Sequence, residues 1–219
     1  MLITLIFAGQ HTSSVMACWA GIELHQHRNY LPILQKELED VYGGGAKLTR
    51  DTLAKTQYLD WMVREAERLH PPLIMLFRAA LKDFEYNGYV IPKGAWTMVS
   101  PHVAHRSPAV FSHPNQYWLE RYAPGRAEDR KALYTLIGFG GGKHRCIGMA
   151  FGFLQVRAVV NYVLRNFDLT LTTSDVRPDY SGNVVGPRQP AMVRYRRKRR
   201  PQMISIPNPS HDAPVMSAL

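Results

Sequence analysis

A glycine-rich segment carries the clearest chemical signal in this chain, because it places one cysteine just before a predicted helix. The segment reads Phe139-Gly140-Gly141-Gly142-Lys143-His144-Arg145-Cys146-Ile147-Gly148. Successive glycines let the backbone pass close to a flat group and adopt turns that side chains forbid. The helix N-terminus and the neighbouring Lys143 and Arg145 favour the thiolate form of Cys146. A thiolate in this setting suits a metal ligand, and iron in particular.

Other glycine-rich sites do not match the spacing. A phosphate-binding loop needs glycine at Ile137 and serine or threonine at His144, and a dinucleotide-binding turn needs glycine at Lys143 or Arg145. A purely structural glycine loop around an inert cysteine stays open as an alternative. His102, His105 and His113 have a loose metal-like spacing, but they lack carboxylate or cysteine support for zinc.

Cysteine count and charge narrow the class of protein further. Only Cys18 and Cys146 occur, so a disulfide framework is not expected. Six of the ten net positive charges lie in residues 194–200, which indicates a solvated basic tail more than a nucleic-acid reader. That charge distribution gives no reason to expect nucleic-acid partners. Residues 1–9 are apolar but lack the features of a secretory signal and are too short to span a membrane, which favours a cytoplasmic protein.

The elements that must position the cysteine are mainly helical, with small β-sheets, an α+β class. Apolar spacing predicts two helices before Gly43-Gly44-Gly45, and Pro71-Pro72 ends a further helix. Asn87-Gly88 predicts a tight hairpin, whose strands and the next one would form one antiparallel sheet. The predicted helices cover 1–27, 33–42, 49–53, 57–70 and 147–166, and the predicted strands cover 84–86, 89–91, 96–99, 168–172 and 191–195.

Two stretches lack a sustained period. Residues 107–142 form an unusually long irregular connection, and long ordered loops are commonly functional. Residues 201–219 are poor in apolar side chains and are expected to be disordered.

The spacing F-x-x-G-x-H-x-C-x-G of the cysteine loop resembles the haem-binding signature of the cytochrome P450 family. The resemblance implies that Cys146 is the axial ligand of haem b iron, with Phe139, Gly140 and Gly148 shaping the loop around the cofactor. A thiolate ligand pushes electron density onto haem iron and favours O–O cleavage. The implied activity is that of a monooxygenase that uses dioxygen.

A second mark of the family is the E-x-x-R pattern on a predicted helix. Glu65 and Arg68 are three residues apart and therefore share one face. The resemblance implies that Arg121 joins them in a buried network that holds the haem-side scaffold. Leu119 stands where the family usually has proline, which is a departure from the pattern.

The third mark is Ala8-Gly9-Gln10-His11-Thr12-Ser13 in the first helix. A hydrogen bond from Thr12 to the carbonyl of Ala8 would open a local distortion in which dioxygen sits. His11 replaces the usual acid, as in the sterol 14α-demethylase branch, so His11 and Thr12 are the expected catalytic residues for proton delivery.

The same branch suggests the remaining site residues. Arg78 and His144 would neutralise the haem propionates, and Ala8, Leu73 and Ile74 would line the substrate pocket. The implied partners are a sterol or other bulky lipid and an acidic ferredoxin-type electron donor that meets a basic face near Lys143, Arg145 and Arg157. Asn183 stands where the branch usually has an apolar residue, which leaves the sterol specificity open.

The resemblance covers residues 1–197 but only the C-terminal, haem-binding half of the family's fold. Residues 1–200 are therefore expected to form a partial cytochrome P450 domain, from the second half of the oxygen-binding helix to the C-terminal strands. The resemblance implies that the family's N-terminal half, with the distal lid, is not part of these residues. Three alternatives stay open: a family member acting on another lipid, a non-catalytic haem-binding module, and a nucleic-acid binder that uses the basic tail.

Overall fold

The computed structural model describes residues 2–198, and the predicted disordered tail, 201–219, lies outside them. This part of the chain contains six α-helices, eight short strands and several short 3-10 helices. The helices are α1 Leu2–Gln26, α2 Leu31–Tyr42, α3 Arg50–Ala54, α4 Gln57–Leu69, α5 Pro101–Ala104 and α6 Met149–Asn166. The strands are β1 Leu76–Ala79, β2 Phe84–Tyr86, β3 Tyr89–Ile91, β4 Trp96–Val99, β5 Phe167–Leu171, β6 Pro178–Asp179, β7 Gly186–Pro187 and β8 Val193–Arg197.

The core lies where α1, α2, α4 and α6 meet. Helix α4 is strongly amphipathic, and it buries Leu59, Met62 and Ala66 against the other helices. Burying a side chain the size of Leu59 or Met62 stabilises the fold by roughly 1.5–3 kcal/mol. The predicted α+β class, mainly helical with small sheets, is confirmed. None of the helices within residues 2–198 combines the length and apolar character needed to cross a bilayer.

The predicted hairpin forms, but the predicted single sheet does not. Asn87 and Gly88 both have positive φ, which a two-residue hairpin turn requires, and β2 pairs with β3. Strand β4 pairs instead with β1, a strand that was not predicted from the sequence. Sequence proximity favoured the hairpin as the partner of β4, whereas the observed ladder, from Leu76–Val99 to Ala79–Trp96, joins segments that are farther apart in the chain.

Helix α1 runs without interruption from Leu2 to Gln26. One other expectation needs correction. The basic run is not a solvated tail throughout, because its first residues, up to Arg197, belong to β8, which pairs with β5. Their side chains nevertheless stay exposed, and Arg196 forms an ion pair with Asp168 at 2.9 Å.

A carboxylate between two histidines joins α1 to the end of α4. Glu23 lies 2.6 Å from Nε2 of His70 and 3.2 Å from Nδ1 of His27, and the His70 ring stacks on Trp19. Burial alone would raise the pKa of Glu23, but the hydrogen bonds and charges of His27 and His70 lower it to about 2. The hydrogen bond to Glu23 raises the pKa of His27. The cluster therefore stabilises the ionised form of Glu23.

We expect this cluster to make stability depend on pH in a defined window. A lowered carboxyl pKa contributes stability that is present above about pH 4.5 and disappears as the pH falls toward about 2, a contribution of about 3 kcal/mol. The raised pKa of His27 adds a contribution that is lost above about pH 6.5. Glu23→Gln should therefore cause its largest loss of unfolding free energy, measured by denaturant unfolding, between about pH 4.5 and about pH 6.5. An equal loss at about pH 3 would contradict this assignment.

Candidate functional site

The cysteine loop is a short, hydrogen-bonded turn that leads into α6. The backbone N–H of Cys146 donates to the carbonyl of Phe139 at 2.8 Å, which closes the loop. Gly140 and Gly142 have φ values of +73° and +62°, a region that side chains rarely adopt. A β-carbon on Gly140 would also lie only 3.2 Å from the carbonyl oxygen of His144. The loop conformation therefore depends on these two glycines.

Cys146 itself is exposed, and Gly148 beside it is the N-cap of α6. A β-carbon on Gly148 would lie 3.7 Å from the Cys146 sulfur, so the space next to the thiol stays open. Two apolar neighbours in the chain are also uncovered, since Ile147 is 91% and Phe151 is 66% exposed. On the inner side, the Phe139 ring packs against Phe153, with 5.0 Å between centroids. The loop thus presents a sulfur donor and apolar surface outward while its base is anchored in the core.

The E-x-x-R pair forms the expected buried network under this loop. Glu65 accepts two hydrogen bonds from Arg68, both at 2.8 Å, and one from Nε of Arg121 at 2.9 Å. The N–H of Trp118 and the hydroxyl of Tyr122 also donate to Glu65. All three charged side chains have no exposed surface. The network therefore ties α4 to the irregular segment around 112–122.

A second carboxylate in this network was not predicted from the sequence. Glu128 accepts a hydrogen bond from Arg121 at 2.6 Å, so two buried acids balance the two buried guanidinium groups. Burial raises the pKa of Glu128, but Ser112 and Arg121 outweigh it, and the net shift is downward. Glu128 follows Ala127, whose φ is +40°. The segment around this turn has no helical or strand periodicity, so no sequence pattern indicated that Glu128 would be buried beside Arg121.

The predicted oxygen-side residues lie on an exposed part of α1. The Thr12 hydroxyl donates to the carbonyl of Ala8 at 2.7 Å, which is the hydrogen bond expected from the sequence. Ala8 and His11 are exposed on the same helix. Farther along, α1 packs against α4 and α6, the two helices that support the cysteine loop. The structure therefore places these residues on a helix attached to the loop scaffold.

The predicted propionate and pocket residues are less enclosed. Arg78 is exposed in β1 and donates to the carbonyl of Phe77, and His144 is exposed in the cysteine loop. Leu73 is exposed, whereas Ile74 is partly buried and its carbonyl accepts a hydrogen bond from Ser100 at 2.7 Å. The segment that enters β1 is thus held by its backbone, with its side chains free to line a cavity.

The loosely spaced histidines do not form a zinc site. His102, His105 and His113 belong to no cluster of three or more metal-ligating side chains among residues 2–198. His105 is buried, and burial lowers its pKa to about 4, so it is a neutral ring. Its Nε2 accepts a hydrogen bond from the N–H of Ile137 at 2.8 Å, and its Nδ1 therefore donates to the carbonyl of Arg68. His105 anchors the base of the cysteine loop.

An apolar cavity of about 240 Å³ lies away from the cysteine loop. Side chains of α1, α6 and β5 line it, among them Cys18, Val160 and Leu169. Cys146 does not line it, so this cavity is separate from the candidate cofactor site. Burial raises the pKa of the Cys18 thiol, which keeps it protonated.

The exposed cysteine before α6 and the buried carboxylate–guanidinium network are the two features of this site that suit a haem-binding protein. The sequence model of the cytochrome P450 family matches residues 1–195, and the chain belongs to that family. Membership implies a haem cofactor.

Several relatives of this chain carry sterol demethylase names. The chain is 40% identical to a sterol 14-demethylase of Arabidopsis thaliana, covering 91% of this chain and 42% of that protein. It is 41% identical to a sterol 14alpha-demethylase of Mycolicibacterium vanbaalenii (91% and 45%) and 34% identical to a lanosterol 14-alpha demethylase of Cunninghamella elegans (89% and 43%). The chain thus spans less than half the length of these relatives.

The residues present fit a haem group. The loop offers one soft sulfur donor, and Gly148 leaves the space beside that donor open. Ile147 and Phe151 are exposed apolar side chains near it in the chain, which suit a flat and largely apolar ligand. Lys143, His144 and Arg145 are exposed around the same loop, where they can pair with carboxylates.

Proposed function

We propose that this chain is the haem-binding part of a monooxygenase and that Cys146 ligates the iron of haem b. The observation that carries the proposal is the exposed Cys146 sulfur at the start of α6, on a loop closed by the Phe139 carbonyl. When bound, such a haem supplies an iron centre that activates dioxygen for insertion into a C–H bond. The protein contributes binding, orientation and protons.

Cys146 and its neighbours hold the cofactor in this proposal. Cys146 supplies the sulfur donor, and Lys143 and Arg145 are exposed in the same loop. His144 and Arg78 bind the carboxylates of the cofactor by charge-assisted hydrogen bonds. Phe139 packs against Phe153 and keeps the loop seated on α6. The Glu65 network beneath prevents the scaffold from shifting, and it takes no part in the chemistry.

His11 and Thr12 deliver protons in this proposal. A hydroxyl has one hydrogen, and in this structure Thr12 donates it to the Ala8 carbonyl. Thr12 must therefore rotate away from Ala8 to donate elsewhere, and a second donor can then return a proton to its oxygen. The exposed imidazole of His11, the preceding residue, has ring nitrogens that can accept and donate a proton, and it suits that task.

The substrate we propose is a sterol or a similarly bulky lipid. Relatives named for sterol 14-demethylation support the reaction in which three successive oxidations remove the 14α-methyl group. Ala8, Leu73 and Ile74 would line the apolar pocket, and several large side chains near them are exposed. These are Ile6, Phe7, Met75, Phe77, Trp96 and Met98. Exposed apolar surface of this extent is typical of a ligand-binding or protein-contacting face.

A small acidic protein of the ferredoxin type is the electron donor that we propose. Lys143 and Arg145 are exposed beside the cysteine and can meet such a donor. Arg157 is not a free surface cation: it bonds to the Leu53 carbonyl and lies 3.2 Å from Asp60. It instead lines a groove with Lys55 and other cations, where the charge balance is positive. Electrostatic attraction of this kind raises association rates and weakens with salt.

The decisive experiment is spectroscopic. We expect the full chain, loaded with haem, reduced and exposed to carbon monoxide, to show the red-shifted Soret band of thiolate ligation. When the chain is joined to the N-terminal half that its relatives have, adding a sterol should shift the spin state, and turnover with a donor should yield an oxidised sterol. Haem uptake without spin shift or product would favour a non-catalytic haem-binding module. Absence of the thiolate band in every preparation would contradict the proposal.

A further inference from the structure

A second acid of α4, Glu67, lies directly beneath the cysteine loop and takes no part in the Glu65 network. Its side chain is 2% exposed, and its Oε1 has no hydrogen-bond partner among residues 2–198. A buried carboxylate without a partner is costly, and such a group normally becomes neutral by binding a proton. Glu67 is therefore built to be a carboxylic acid and not a carboxylate.

The carboxyl of Glu67 occupies the place that a side chain at residue 138 would take. A β-carbon on Gly138 would overlap Oε1 of Glu67 and would lie 2.8 Å from Cδ. Gly138 does not have a positive φ, so glycine is required here for space and not for backbone conformation. Glu67 and Gly138 are thus matched in shape at the base of the loop that carries Phe139.

The groups around Glu67 do not compensate a negative charge. Arg64 and Arg68 attract it, but Arg64 is paired with Asp60 and Arg68 with Glu65. From the other packed segments, the neutral ring of His105 and the phenol of Tyr122 face this region. Burial raises the pKa of Glu67 to about 8, with a smaller rise from Glu65 that Arg64 and Arg68 oppose.

We propose that Glu67 is a positioning residue of the cysteine loop: its buried neutral carboxyl seats Gly138 and so fixes the base of the loop. His105 holds the adjacent Ile137 N–H, so the loop base rests on two uncharged side chains. Ionisation of Glu67 in alkaline solution places an unpaired charge under the loop and loosens it. That this loop carries a cofactor rests on the proposed function, whereas the seating of the loop by Glu67 does not.

Amide hydrogen exchange on the full chain without cofactor tests the inference directly. The reporters are the N–H groups of Ile137 and Cys146, which bind His105 and Phe139. After correction for the intrinsic rate, we expect their protection to fall about tenfold between about pH 7 and about pH 9. Glu67→Gln and Glu67→Leu, which cannot ionise, should abolish that fall. Glu85→Gln, at an exposed acid of β2, should leave it unchanged.

The shape match has its own test. Gly138→Ala should reduce protection of both amides, and adding Glu67→Ala should restore most of it, because the clash is removed. Equal pH profiles of amide protection in wild type and both Glu67 variants would overturn the proposal. So would a double variant in which Glu67→Ala fails to restore the protection lost through Gly138→Ala. Neither readout uses haem, so a missing thiolate spectrum would count against the proposed function and leave this result standing.

Discussion

Cys146→Ser is expected to eliminate the red-shifted Soret band of the reduced, carbon-monoxide-treated chain completely. A serine hydroxyl keeps its proton near neutral pH and cannot replace the thiolate, although it fits the same space. The loop should survive, because its closing hydrogen bond uses the backbone of Cys146 and Phe139. Haem uptake should weaken, and any haem that remains bound should show a different axial ligand. Absorption spectroscopy during haem titration measures both effects.

The other cysteine supplies a matched control. Cys18 lies in α1 beside an apolar cavity, and burial raises the pKa of its thiol, which disfavours the ligand form. Cys18→Ser should therefore leave the thiolate band in place. If Cys18→Ser removes the band and Cys146→Ser does not, our assignment of the ligand is wrong.

Glu65→Ala is expected to cost about 3–5 kcal/mol of unfolding free energy, the usual penalty for breaking a fully buried ion pair. The substitution leaves Arg68 without its carboxylate and Arg121 with Glu128 alone, in a region without exposed surface. It also removes the acceptor of the Trp118 N–H. A loss this large is a substantial fraction of the stability of a typical domain, so much of the chain should be unfolded. Urea unfolding followed by circular dichroism measures it.

An exposed carboxylate in a comparable pair provides the comparison. Asp40 accepts from Lys36 at 2.8 Å, but both side chains are mainly exposed. Asp40→Ala should cost less than about 0.5 kcal/mol, because solvent and salt already weaken that pair. Arg121→Ala should resemble Glu65→Ala, since it leaves two buried acids without their shared partner. Similar losses for Asp40→Ala and Glu65→Ala would show that the buried network is not what stabilises this region.

Local patterns predicted the elements that depend on neighbours in sequence. Asn87-Gly88 alone indicated the β2–β3 hairpin, because only residues that tolerate positive φ form that turn. Pro71-Pro72 indicated the end of α4, because proline cannot continue a helix. The apolar periods of α2 and α4 predicted their bounds to within two residues. Predictions that needed a partner far along the chain were weaker, as the pairing of β4 with β1 shows.

The sequence by itself determined the cysteine loop, the E-x-x-R pair and the family, since these depend on residue types at short, fixed spacings. Tertiary structure alone decided that Glu128 completes the Arg121 network, that Arg157 is held by Asp60, and that Glu67 lies against Gly138. The physical reason is that burial and charge pairing depend on which distant segments meet. Local patterns in the sequence do not predict which distant segments pack together. Once they are packed, the structure shows the partner of a buried charge and the reason for an absent β-carbon.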